Sequence, residues 1–275
     1  MKVKFGPSGV PIQCKSSSTI DGIKCCSELG LDAMELQFGM GVRMKKEKAE
    51  EIFKVSKKYN ISLSCHAPYF VNLCSPIKSK VGLSKANLIS ATNILSIAGG
   101  TVAVFHPGFY QEQSPSEAYQ AAKKNLKDLK KRLDEKQIKA LLGVETVGKK
   151  TAFGGLTEVL QLSKELPFIK PVLDLAHIHA REDHTLKSKE DYEDLFKIVE
   201  KSLPDYLDNF HFHFSEINYT DKGERNHFPL GTNNTPPYKP LMKVLKENGY
   251  SGTIICETPK LDIDAITMRD YYKKC

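Results

Sequence analysis

Residues 209–214 read Asn-Phe-His-Phe-His-Phe and run on into Ser215 and Glu216. Phenyl rings and imidazoles alternate with a period of two, the spacing at which side chains share one face of a β-strand. One face of this segment is therefore aromatic, and the other carries His211 and His213. A strand in a closed barrel has one side towards the surrounding helices and one towards the barrel axis. In that setting the phenyl rings pack outward and the imidazoles point inward.

The rest of the chain repeats the same kind of unit. Short β-rich runs fall at 3–6, 33–37, 62–66, 101–106, 140–145, 169–174, 209–214 and 252–257, with longer amphipathic stretches between them. Segments 45–59 and 116–133 place apolar residues three and four apart against Lys and Glu faces, the pattern of a helix with one buried side. Helix starts are marked by Ser114-Pro115, by Ser188 before Lys-Glu-Asp, and by Pro236-Pro237 before Tyr238. Gly30, Gly99-Gly100 and Gly249 fall where helices should stop. Eight β-then-α units in 275 residues, without a linker or low-complexity segment, predict a single-domain (β/α)8 TIM barrel over residues 1–275. An open doubly wound sheet is the rival. No GxGxxG or GxxxxGK[ST] follows any strand to support it.

In a barrel the C-terminal strand ends converge on one rim. Here successive strand ends carry His66, His106, Glu145, Asp174 with His177 just beyond, His213 and Glu257. Any one of these could be a hydrogen-bonded structural residue or the cap of the next helix. Six in succession do not arise independently, and together they form an imidazole and carboxylate set without thiolate. Such a set suits Zn²⁺, Mn²⁺ or Fe²⁺. There are more ligands than one tetrahedral ion needs, so two or three ions are expected. His211 and His213 lie two residues apart, roughly 6.6 Å along a strand. With metal–nitrogen bonds of about 2.0–2.1 Å, the two are not expected to share one ion. His213, level with the other strand ends, is the expected ligand, and His211 beneath it an expected hydrogen-bonding support.

Composition narrows the setting. The net charge of +7 suits a polyanionic partner without requiring one. Seven Cys with no CxxC spacing read as free thiols in a reducing compartment, with Cys25 and Cys26 on one helix. There is no bilayer-length apolar run, and the sequence opens without the apolar core of a signal peptide, so a cytoplasmic protein is expected.

The motifs His66-Ala-Pro-Tyr-Phe-Val-Asn-Leu73, His106-Pro-Gly108, Glu145-Thr146, Asp174-Leu-Ala-His177 and Glu257-Thr258, in this order, resemble the endonuclease IV type of apurinic/apyrimidinic endonuclease. That family is a TIM barrel of the xylose-isomerase-like group. The resemblance implies a centre of three zinc ions. His66, His106 and Glu145 would hold the first ion. Glu145 would bridge to a second, held also by Asp174, His213 and Glu257, while His177 and His227 would hold the third. Glu145 would also be the catalytic residue that orients the attacking water. The pattern departs from the family in three places. Arg225 stands where an Asp-x-His carboxylate is expected before His227, with Glu224 beside it as a substitute. Gly6-Pro-Ser-Gly9 replaces a Gly-His-Val-Ser motif, and Ser215-Glu216 replaces Asn-Asp.

The resemblance further implies a monomer that cleaves double-stranded DNA on the 5′ side of abasic sites. Tyr69 and Phe70 would enter the base stack and Arg43 would meet the backbone. Further basic candidates at the rim are Lys45, Lys46, Lys149, Lys150, Lys222 and Arg225, each of which could equally be ordinary solvated surface. The alternative is a divalent-metal sugar isomerase or epimerase of the same barrel group. Such an enzyme would use Glu145, Asp174, His213 and Glu257 but has no need of the additional His66, His106 and His177.

Overall fold

The computed structural model describes residues 3–275. Eight parallel strands form one sheet: β1 (Val3–Pro7), β2 (Ala33–Gln37), β3 (Ser62–His66), β4 (Val102–Phe105), β5 (Leu141–Glu145), β6 (Ile169–Asp174), β7 (Phe210–Phe214) and β8 (Gly252–Cys256). They pair in the order β1-β8-β7-β6-β5-β4-β3-β2, so the sheet curls until its first and second strands meet. At that seam the Asp32 amide donates to the Phe5 carbonyl at 3.0 Å, and Ser8 bridges to Glu35. The approach is close enough that a Cβ on Gly6 would lie 2.1 Å from the Ala33 carbonyl oxygen. Only glycine lets the backbones come this near.

A helix follows each strand: Thr19–Glu28, Lys46–Tyr59, Lys78–Ile97, Pro115–Glu135, Leu156–Glu165, Lys189–Ser202, Tyr238–Glu247 and Asp262–Lys274, with a short extra one, Leu175–Arg181, directly after β6. The expected caps are in place. Ser114 and Glu117 form a reciprocal capping box with Pro115 in the first turn, and Ser188 and Asp191 form another. Expected and observed bounds differ by one or two residues. His106, for example, lies beyond β4 because Pro107 follows it and cannot donate to the ladder.

The reading of β7 holds in detail. Phe212 stacks on Phe196 of the Lys189–Ser202 helix with centroids 5.6 Å apart, while His211 and His213 face the axis. The barrel interior is graded: Val102, Val104 and Val172 form a small apolar layer, with the polar strand ends above it. Two ribbons, Gly108–Phe109 with Ala152–Phe153 and Glu216–Thr220 with Gly223–Phe228, are not among the eight expected strands. Cys25 and Cys26 share the Thr19–Glu28 helix, and all seven thiols are free. Among the described residues no helix is long and apolar enough to cross a membrane.

Candidate metal centre

The C-terminal strand ends do converge. They line a cavity of about 570 Å³ whose walls include Ser8, Gln37, His66, Tyr69, His106, Lys149, His177, Glu224, His227 and Glu257. Four donor groups form among the described residues: Glu35, His211 and His213 lie deepest, and three more overlap at the strand ends. His66, His106 and Glu145 make the first; Glu145, Asp174, His213 and Glu257 the second; Asp174, His177 and His227 the third. Within each group the ligand atoms lie within 4.8 Å of one another. The three at the strand ends bring together the eight residues expected from the sequence, in the expected groupings, with Asp174 as an additional shared carboxylate.

Glu145 is central and fully buried. Its Oε2 lies 3.1 Å from His66 Nε2 and 3.2 Å from His106 Nε2, while Oε1 lies 3.1 Å from His213 Nδ1. The two oxygens thus face different donor groups, the posture of a bridging carboxylate. Burial alone would raise its pKa, but His106 and His213 outweigh that and hold the carboxyl well below its usual range. For His66 burial acts downward, and the hydrogen bond to Glu145 overrides it, lifting the imidazole to about 9. His213 and His177 are also lifted against burial, His213 by Glu257, Glu35 and Glu145, and His177 by Asp174 and Glu224. A cation among these carboxylates would supply the same compensating charge.

Backbone contacts aim the rings. His66 Nδ1 pairs with the Ala67 carbonyl at 2.8 Å, His177 Nδ1 with the Thr146 carbonyl at 2.9 Å, and His227 Nδ1 with the Glu257 carbonyl at 3.1 Å. In a neutral ring, an N–H donated to a carbonyl from Nδ1 leaves the lone pair on Nε2, which is the nitrogen aimed at the other donors. The His177 and His227 Nε2 atoms come within 3.3 Å of each other, close enough for an N–H···N hydrogen bond or for both lone pairs to face one cation. Asp174 is a helix cap as well as a donor. Its Oδ1 accepts from the His177 amide at 2.7 Å, while the buried Oδ2 has no hydrogen-bond partner. The bare oxygen, the facing nitrogens and the nitrogen–oxygen donor set all fit divalent transition metals.

Glu224 stands beside the third group. Its Oε2 lies 2.9 Å from His177 Nε2, and although burial would raise its pKa, His177 holds it at about 2. In a regular strand Glu224 and His227, three apart, would face opposite ways. The pairing of Glu216–Thr220 with Gly223–Phe228 matches Tyr219 with Glu224 and Asn218 with Asn226, so Arg225 is bulged out and exposed. One extra residue reverses the alternation and puts Glu224 on the same side as His227.

Glu216 takes no part in the donor groups. Its carboxylate accepts the amides of Gly231, Thr232, Asn233 and Asn234 at 2.6–2.9 Å and pins the loop that follows His227. Tyr69 borders the cavity with its ring 5.3 Å from His66, and it and Phe70 are 57% and 45% exposed, so neither is core. Arg43 is exposed on the loop after β2 and does not line the cavity. Of the basic pairs, Lys149 lines the cavity, and Lys150 is engaged by Asp183 at 3.0 Å.

Glu35 was not among the expected site residues. It is fully buried beneath the centre, 3.3 Å from His213 Nε2 and 3.6 Å from His211 Nε2. The signal available in the sequence is a carboxylate amid the apolar run of Ala33–Gln37, in phase with the inward-facing Gln37. His211 therefore supports the centre through Glu35, one step further from His213 than its spacing suggests.

Fold and site together define a (β/α)8 barrel with a candidate metal centre at its C-terminal rim. The chain belongs to the xylose isomerase-like TIM barrel family, whose model matches residues 23–274. It is 34% identical over 274 residues to an uncharacterised protein of Methanocaldococcus jannaschii, covering 98% of this chain and 97% of that one. A probable endonuclease 4 of Aster yellows witches'-broom phytoplasma is 28% identical over 172 residues, 59% of this chain and 57% of its own. Among solved structures, a D-tagatose 3-epimerase-like protein superposes with a TM-score of 0.73 at 18% identity, covering 100% of this chain and 96% of the other. Endonuclease IV from Thermus thermophilus superposes with a TM-score of 0.72 at 17% identity, covering 100% of both chains. At these identities the structural likeness is one of fold.

Proposed function

We propose that this protein is a zinc-dependent endonuclease that hydrolyses double-stranded DNA on the 5′ side of abasic sites and leaves a 3′-hydroxyl. The observation that carries this reading is the fusion of three donor groups through Glu145 and Asp174. A sugar epimerase or isomerase on this barrel would use only the second group, leaving His66, His106, His177, His227 and Glu224 without a role. Zinc or manganese ions, when bound, would supply adjacent positive charge for the attacking water and for the departing oxygen of a phosphodiester.

The protein's own groups divide the remaining work. Glu145, kept anionic by the imidazoles around it, is placed to orient the water and accept hydrogen bonds from it. A water oxygen joins phosphorus and gives up a proton as the bond to the 3′ oxygen breaks, and that oxygen takes up a proton to leave as the 3′-hydroxyl. The cavity of about 570 Å³ suits one extruded sugar and its phosphate, not a stacked duplex, so the damaged nucleotide must swing out. Tyr69 at its edge and the neighbouring exposed Phe70 are suited to fill the gap in the stack, with Lys149 and Arg43 available to phosphates. A monomer suffices, because the donors all come from one chain.

A duplex with one tetrahydrofuran abasic analogue, offered to the zinc-loaded protein, tests this. Incision on the 5′ side, reduced by about a thousandfold or more in Glu145→Gln, is expected. No incision with zinc or manganese, together with manganese-dependent interconversion of free sugars, would select the epimerase reading instead.

A further inference from the structure

We infer that Glu35 is a positioning residue that makes His213 an Nδ1 ligand by holding the proton of its Nε2; this rests on the metal-centre reading above. Three histidines of the centre turn Nδ1 to a backbone carbonyl and Nε2 to the cavity. His213 is turned the other way. Its Nδ1 faces Glu145 Oε1 at 3.1 Å and Glu257 Oε1 at 3.4 Å, and its Nε2 faces Glu35 Oε2 at 3.3 Å. A neutral imidazole has one N–H and one lone pair, so the nitrogen that keeps the proton decides which side gains a ligand.

Glu35 is built to be the acceptor. It has no solvent exposure, and its Oε2 already accepts from Ser64 Oγ at 2.8 Å, the residue beside it across the β2–β3 pairing. Gln37 Nε2 lies 3.3 Å from Oε1, and His211 Nε2 approaches Oε2 at 3.6 Å. The competing possibility is that Glu35, His211 and His213 hold an ion of their own. That would take the Nε2 lone pair of His213 and leave the second group with three carboxylates and no imidazole. Ser64 and Gln37 already occupy Glu35, which favours the hydrogen-bonded arrangement. A carboxylate behind a ligating imidazole also strengthens it as a donor, and its loss typically costs about 10–100-fold in metal affinity.

Two measurements on the full chain test the inference without reading DNA cleavage. Nitrogen-15 spectra of zinc-loaded, histidine-labelled protein should place the His213 proton on Nε2 and the metal on Nδ1. Chelator competition should give one ion held about 10–100-fold more weakly in Glu35→Ala, with partial recovery in Glu35→Gln, which keeps an acceptor oxygen. A proton on Nδ1 of His213 in the wild type overturns the inference, even if neither variant folds. Zinc affinities within about twofold of wild type in both variants also overturn it. A protein that meets both expectations yet leaves abasic DNA intact sinks the nuclease reading alone.

Discussion

The chemistry of single residues follows from which atom each presents. His213 and His211 differ by one step down β7, yet only His213 reaches a donor group shared with Glu145 and Glu257. His213→Ala is therefore expected to lower bound metal by about one ion per chain, whereas His211→Ala keeps the full complement. Elemental analysis of the purified variants decides this, and equal losses would overturn the division. Lys170 offers a test remote from the centre. It points into the lower barrel and donates to the Asn209 carbonyl at 2.6 Å, and burial depresses its pKa to about 8. A lysine lowered in the folded state binds fewer protons there than in the unfolded chain between pH 8 and its ordinary value near 10.5. Stability should therefore rise with pH through that window. Lys170→Met should flatten the rise and add about 1–2 kcal/mol at pH 7, as read by denaturant titration.

At the scale of elements, backbone irregularities set the site as much as side chains do. The bulge at Arg225 turns Glu224 inward, so a sequence in which the expected carboxylate position holds arginine still presents a carboxylate to His177. On the three-ion proposal, Glu224→Ala should weaken the ion at His177 and His227 and leave the other two sites unchanged, a difference that staged chelation resolves. Glu216 supports the same region by accepting four loop amides. Hydrogen bonds to a charged acceptor contribute about 1.5–3 kcal/mol each when the loop cannot rehydrate. This loop can, so Glu216→Ala should cost roughly 2 kcal/mol in all. Amide exchange at residues 231–234 should accelerate, and unchanged exchange there would remove Glu216 from this role.

Across the whole molecule the barrel brings together carboxylates and imidazoles from β2, β3, β5, β6 and β7 and from the segments just beyond the strand ends. Glu35, Glu145 and Asp174 are completely buried among histidines; nearby imidazoles hold Glu35 and Glu145 anionic against burial, and His213 is lifted in return. Metal that binds the folded state alone stabilises it by mass action, about 2.7 kcal/mol at a hundredfold excess over its dissociation constant. Stripping metal with a chelator should thus lower the melting temperature by several degrees and restore it on readdition. About three ions per chain at saturation favours the nuclease reading, and one favours the epimerase.

Much of this was present in the sequence. The period-two pattern of β7, the eight β-then-α units and the succession of His, Glu and Asp at strand ends determined the barrel and seven of the side chains that cluster at its rim, and the family resemblance added His227. Each of these is a local signal that survives in any register. What the sequence could not supply depends on contacts between distant segments. Glu35 meets His213 only because the barrel closes β2 across from β7, 178 positions along the chain. Glu224 turns inward only because pairing with Glu216–Thr220 expels Arg225. Periodicity fixes which way a side chain points within its own strand. Which partner stands there, and which imidazole nitrogen is left to bind, is decided by closure of the sheet.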